Sequence, residues 1–114
     1  MLHRMGLYKT YLQAIKDGKK TVEVRLNDQK RRQVKIGDTI EFITVPEAEE
    51  TLRVNVTGLK NYYTFKDMYE DIPLKDIDCE GWTMKDLLEG TYEIYTLEQE
   101  ERWGVLAISI KTIK

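Results

Sequence analysis

One cysteine, one histidine and one serine are all that this 114-residue chain holds of three residue types that carry much of enzyme chemistry. The lone Cys79 excludes an internal disulfide, and Cys79 with His3 is too small a set for a Cys/His zinc site. Ser109 lies within the apolar run Gly104–Ile110 and reads as a packed strand residue rather than a triad nucleophile. A Cys79–His3 dyad would rest on two isolated residues with no supporting pattern. The seven glycines are scattered singly, so neither G-x-G-x-x-G nor a P-loop is present. Gly104–Ile110 is also the longest apolar stretch, far below the ~20 residues of a membrane span. No cationic-then-apolar leader opens the sequence. The expectation is a cytoplasmic protein with no membrane partner, no metal and no cofactor.

What is present is a 41% hydrophobic fraction beside 33% charged residues. A chain of this length buries roughly 65% of its unfolded surface, enough for one core, so residues 1–114 are read as a single domain. The net charge of −2 conceals a division. Between Lys16 and Lys35 there are eight Lys/Arg against three Asp/Glu; between Asp67 and Glu101 there are two Lys against twelve Asp/Glu. One side is expected to face a polyanion. The other is expected to repel one, or to offer an anionic surface to a protein partner.

The periodicities predict a strand at His3–Leu7, then a helix over Tyr8–Asp17 with Tyr8, Leu12 and Ile15 on one face and Gly18 as its C′ stop. Val22, Val24 and Leu26 alternate with Thr21, Glu23 and Arg25, a strand with one apolar and one polar face. Further strands are expected at Thr39–Val45 and Leu52–Leu59, joined through Pro46 and the acidic tip Glu47, Glu49, Glu50. Short helices are expected next, at Phe65–Glu70, Met84–Gly90 and Leu97–Arg102. The boxes Thr64-x-x-Asp67, Thr83-x-x-Asp86 and Thr96-x-x-Gln99 start them. A return strand over Trp103–Thr112 completes an α+β fold: a small, partly open, mainly antiparallel β-barrel with flanking helices.

Gly18-Lys19-Lys20-Thr21-Val22-Glu23-Val24-Arg25 resembles the G-x-K-x-x-E-x-R signature of the ASCH domain, a branch of the PUA-like superfamily. Asn27-Asp28-x-Lys30-Arg31, the Ile36-Gly37-Asp38 turn, Tyr92-Glu93-Ile94-Tyr95 and Trp103-Gly104-Val105 are similar to the segments downstream of that signature in small bacterial members. The resemblance covers nearly the whole chain. It implies a PUA-like barrel whose cleft, between barrel and helices, is lined by the signature residues. By relation to PUA domains it also implies an RNA- or nucleotide-binding module. Some small members are amidohydrolases that deacetylate N4-acetylcytidine with a Lys, a Thr and a Glu. Lys20 matches that lysine, Glu23 stands at the position of the threonine, and the glutamate would fall near Glu80.

Two expectations therefore stand side by side. In the first, Lys20, Glu23 and Arg25 form a ligand cleft, with Lys30 and Arg31 as a basic rim and His3 facing in from the first strand. In the second, Lys20 and Glu23 are catalytic residues of an amide hydrolase acting on a modified pyrimidine nucleoside. Glu23 and Arg25 lie about 6.6 Å apart along a strand, at about 3.3 Å per residue. They are either a solvated ion pair or a fork aimed at a phosphate or base. A nucleophilic Lys20 would have to lose its proton, which the Glu23 carboxylate opposes. The Lys30-Arg31-Arg32 run with Lys35 reads as a solvated turn or as a rim tracking a nucleic-acid backbone. His3 reads as a hydrogen-bonded structural residue or a cleft residue. Tyr62 and Tyr63 read as strand-end packing or base-stacking groups, and Trp82 and Trp103 as packing.

Overall fold

The period-two segments build a single sheet that curls into a half-barrel. In a computed structural model that describes residues 1–113, the strands are β1 (Leu2–Leu7), β2 (Val22–Leu26), β3 (Thr39–Thr44), β4 (Thr51–Tyr62) and β5 (Val105–Thr112). Their spatial order is β1-β3-β4-β5-β2. β1 runs parallel to β3, and the other neighbouring pairs are antiparallel. Four helices complete the α+β fold: α1 (Lys9–Lys16), α2 (Phe65–Asp71), α3 (Met84–Ile94) and α4 (Leu97–Trp103).

The two faces of the sheet carry two cores. Met5, Leu7, Ile40, Phe42, Val54, Val56, Leu106 and Ile108 point to the concave side, where Leu12 and Ile15 of α1 plug it. Val22, Leu26, Val105 and Ala107 point to the other side and pack against Phe65 and Met68 of α2 and against Ile77. Each large side chain buried in this way contributes ~1.5–3 kcal/mol relative to exposure. Because both faces are covered, the alternation in β2 does not separate core from solvent. Val22 and Leu26 face the helices, whereas Glu23 and Arg25, paired across the ladder with Ile108 and Leu106, face the barrel interior.

Several local features agree with the sequence pattern. Gly18 adopts φ +76° and its N–H bonds the Ile15 carbonyl at 3.1 Å, ending α1 as a C′ glycine does. Thr83 and Thr96 form complete capping boxes with Asp86 and Gln99, and Thr64 accepts from the Asp67 N–H at 3.1 Å. Other boundaries differ. β4 continues through Tyr62, α3 runs past Gly90 to Ile94, and Trp103 closes α4 instead of opening β5. Gly90 adopts no positive φ, so it costs α3 only propensity. Trp82 is half exposed rather than packed. No helix among the described residues is long and apolar enough to cross a membrane.

Candidate ligand-binding site

β1 and β2 are the two edge strands, and the seam between them is where the curled sheet fails to close. The signature residues occupy that seam. Lys20 lies two residues before β2. Its N–H bonds the Ala14 carbonyl of α1 at 3.2 Å, and it forms an isolated bridge with Ile77, so helix, strand and the loop after α2 meet there. Its Nζ lies 3.1 Å from Glu23 Oε1 and donates to the Val22 carbonyl at 3.0 Å. Arg25 donates to Glu23 Oε2 from both Nε (3.0 Å) and Nη2 (2.7 Å), and the same Nη2 reaches the Gly6 carbonyl of β1 at 2.7 Å.

Lys20 is 7% exposed and Glu23 4%, so this is not a solvated surface pair. Burial alone would raise the Glu23 carboxyl. The charges of Lys20 and Arg25 and their hydrogen bonds outweigh it, and the net shift is downward. The cluster therefore holds one carboxylate, both of whose oxygens already accept, between two cations. Arg25 is its outermost member, with 14% of its side chain exposed.

The two residues expected to form a basic rim, Lys30 and Arg31, are both anchored. Lys30 donates from Nζ to the Arg4 carbonyl at 3.0 Å, so a second side chain reaches across the seam to β1. Arg31 pairs with Asp28 through Nη1 at 3.0 Å, while its buried Nε has no partner among the described residues. His3 projects into the barrel three residues before Gly6 and bonds Asp38 Oδ2 through Nε2 at 2.8 Å, so it sits with Asp38 rather than with the Lys20 cluster. Glu80 lies outside the cluster's ion pairs. No group of three or more His, Cys, Asp or Glu placed to hold a metal ion occurs among the described residues.

Sequence reasoning missed the wall opposite the cluster. The Tyr11 ring lies 5.9 Å from Lys20 Nζ. Burial pushes the Cys79 thiol up, while nearby Lys20 pulls it down by less. Burial also pushes the Tyr95 phenol up, with Arg25 and Glu23 acting on it in opposite senses. Tyr95 stacks on Phe65 at 5.2 Å between centroids. Tyr69 donates its hydroxyl proton to Thr91 Oγ1 at 2.6 Å, because the Thr91 proton is already given to the Leu87 carbonyl. Nothing in the local sequence around these residues signals such contacts, which arise only when α1, α2, α3 and the loop after α2 come together beside β2.

Two solved structures share both fold and sequence with this chain. The crystal structure of the hypothetical protein PH0355 superimposes with a TM-score of 0.88 at 36% identity, covering 99% of this chain and 100% of the other. The solution structure of protein PF0455 from Pyrococcus furiosus gives 0.79 at 34% identity, covering 100% and 99%. ASCH from Zymomonas mobilis matches in fold alone, with a TM-score of 0.62 at 11% identity over 96% of this chain and 66% of that one. No match to this chain was found among curated proteins. The family model for the ASCH domain matches residues 5–114, and with an edge-open half-barrel whose seam holds Lys20, Glu23 and Arg25, the chain belongs to the ASCH domain family.

Proposed function

We propose that this chain is a cytoplasmic RNA- or nucleotide-binding module whose ligand cleft opens at the β1–β2 seam. Lys20, Glu23 and Arg25 form its floor, and Lys30 and Arg31 its rim. The family is commonly thought to bind RNA, which agrees with this reading. The observation that carries it is the Arg25 guanidinium. It is fixed by Glu23 behind it, partly exposed, and donates in front to a backbone carbonyl, Gly6 O. A phosphate or base oxygen entering the seam replaces that neutral acceptor with a stronger one, since charge-assisted hydrogen bonds are roughly twice as strong as neutral ones. Two cations against one carboxylate leave the floor net positive. The acidic helical flank repels a phosphate backbone and confines contact to the seam side, leaving that flank for a protein partner.

The amide-hydrolase alternative draws less support from the same geometry. A carboxylate base must meet a water, and Glu23 is buried with cations against both of its oxygens. Lys20 Nζ is engaged by the Glu23 carboxylate at 3.1 Å and by the Val22 carbonyl at 3.0 Å, so it is committed to the cluster. Incubation with N4-acetylcytidine is expected to release no cytidine.

The test is an anisotropy titration of a labelled single-stranded RNA octamer at about 50 and about 200 mM salt. Binding at the lower salt that weakens at the higher supports the reading. So does a loss of about ten-fold or more in Arg25→Ala and in the rim variant Lys30→Ala, each first shown to be folded. Absence of binding by the wild-type protein at the lower salt contradicts it.

A further inference from the structure

We infer that a second contact site, fitted to one unpaired nucleotide of single-stranded RNA, lies at the far end of β2, beyond the seam. A groove of about 470 Å³ there is lined by Asn27, Arg32, Asn61, Tyr63, Arg102 and Trp103, with Glu101 as the one acidic neighbour. This deepens the RNA-binding reading and rests on it for the class of ligand.

The arginines mark the groove out. Of the six in the sequence, Arg4 and Arg53 pair with Glu41, Arg25 with Glu23 and Arg31 with Asp28. Arg32 and Arg102 pair with no carboxylate among the described residues, and both lie in this groove. Both are also held against the same indole, their guanidinium carbons 5.6 and 4.9 Å from the Trp103 ring centroid. Arg32 is further fixed by donating from Nε to the Asn27 carbonyl at 2.8 Å. Stacking on an indole orders a guanidinium while leaving its N–H edges directed outward, an arrangement suited to phosphate oxygens.

The groove also offers a platform for a base. Tyr63 is 89% exposed, an unusual position for an aromatic ring with no partner in the fold, and it lines the same groove as the two guanidinium groups. Bases in single strands stack on aromatic and guanidinium planes alike. The two asparagine amides supply both donors and acceptors for base edges. Continuity with the seam comes from one short loop: Lys30 reaches the Arg4 carbonyl at the seam, and Arg32, two residues later, reaches Trp103. From Glu23 to Asn27 is four residues, about 13 Å along the strand, within the span of a short oligonucleotide.

The test uses the full chain carrying Trp82→Phe, so that tryptophan emission reports on Trp103 alone. Titration with an unlabelled single-stranded RNA octamer is expected to change that emission saturably. Tyr63→Ala and Arg102→Ala should each weaken binding about ten-fold. Tyr63 is nearly fully exposed, so its variant folds. If the octamer binds by anisotropy with no change in Trp103 emission and no loss in either variant, the groove is overturned and the seam stands. If the groove variants lose binding while Arg25→Ala and Lys30→Ala do not, the groove stands and the seam reading falls. If the octamer binds under no condition, both fall.

Discussion

The Arg25 guanidinium, on one edge strand, donates to the Gly6 carbonyl on the other at 2.7 Å, so a side chain closes a barrel that the backbone leaves open. The same group holds Glu23 by two hydrogen bonds of 3.0 and 2.7 Å. Structure and proposed ligand recognition therefore depend on one planar fork. A lysine in its place keeps the charge but loses the planar fork that donates twice to Glu23 and once to Gly6. Arg25→Lys is expected to lower stability by about 2 kcal/mol, the scale of a lost hydrogen bond to a charged group. Urea denaturation checks this; a midpoint equal to that of the wild type would mean the seam contact contributes nothing.

Glu23 faces a different risk, because removing it leaves Lys20 and Arg25 buried without their shared anion. Glu23→Gln should cost about 3 kcal/mol or more. Its carboxyl is lowered in the folded state because the two cations outweigh burial. Its contribution is therefore present above the unfolded carboxyl range near 4.3 and is lost as pH falls below it. Unfolding free energies measured at pH 7 and in acid should converge for wild type and variant as the pH drops.

Asp38 supplies a second, separable acid response. The His3 hydrogen bond first, then the Lys35 N–H and the amino terminus, lower its carboxyl from 3.8 to about 2. A depressed folded value stabilises above the unfolded one, so stability from this contact is full above about pH 4 and disappears toward pH 2. Asp38→Asn is expected to flatten that part of a pH–stability curve measured by urea unfolding. An unchanged slope between about pH 4 and pH 2 would mean that Asp38 carries none of the acid response.

Glu100 joins α4 to the start of α2. Its buried carboxylate accepts from the Phe65 N–H at 2.8 Å and from the Tyr92 hydroxyl at 2.9 Å. Glu100→Ala strands a buried N–H and should cost about 2 kcal/mol, more than Tyr92→Phe does. Burial and then the Glu100 hydrogen bond push the Tyr92 phenol up to about 12. Its contribution is thus complete below the ordinary phenol range near 10 and is lost as pH rises through the folded value. A Tyr92→Phe midpoint that tracks the wild type through alkaline titration would contradict this.

Much of the fold is legible because hydrophobic periodicity and capping chemistry are local. The alternation of Val22, Val24 and Leu26 marks β2, Gly18 marks the end of α1, and the boxes at Thr83 and Thr96 mark α3 and α4. Where a helix is carried by packing rather than propensity, as α3 is through Gly90, the local signal stops too early. The candidate site divides in the same way. Lys20, Glu23 and Arg25 are two or three residues apart, so their contact is written in the spacing. Gly6 lies 19 positions from Arg25 and offers only a carbonyl, which no side-chain pattern can announce. Tyr11, whose ring lies 5.9 Å from Lys20 Nζ, reaches the cluster only because α1 packs beside the start of β2. Trp103, read from sequence as packing, also has two arginines against its ring, one from α4 and one from the loop after β2.

The central claim is that the β1–β2 seam receives the ligand, and amide chemical-shift mapping with a single-stranded RNA octamer tests it most directly. The largest changes are expected at Gly6, Val22–Leu26 and the adjoining basic loop through Lys30, with α3 unaffected. Changes confined to α3, or none at saturating RNA, would contradict it.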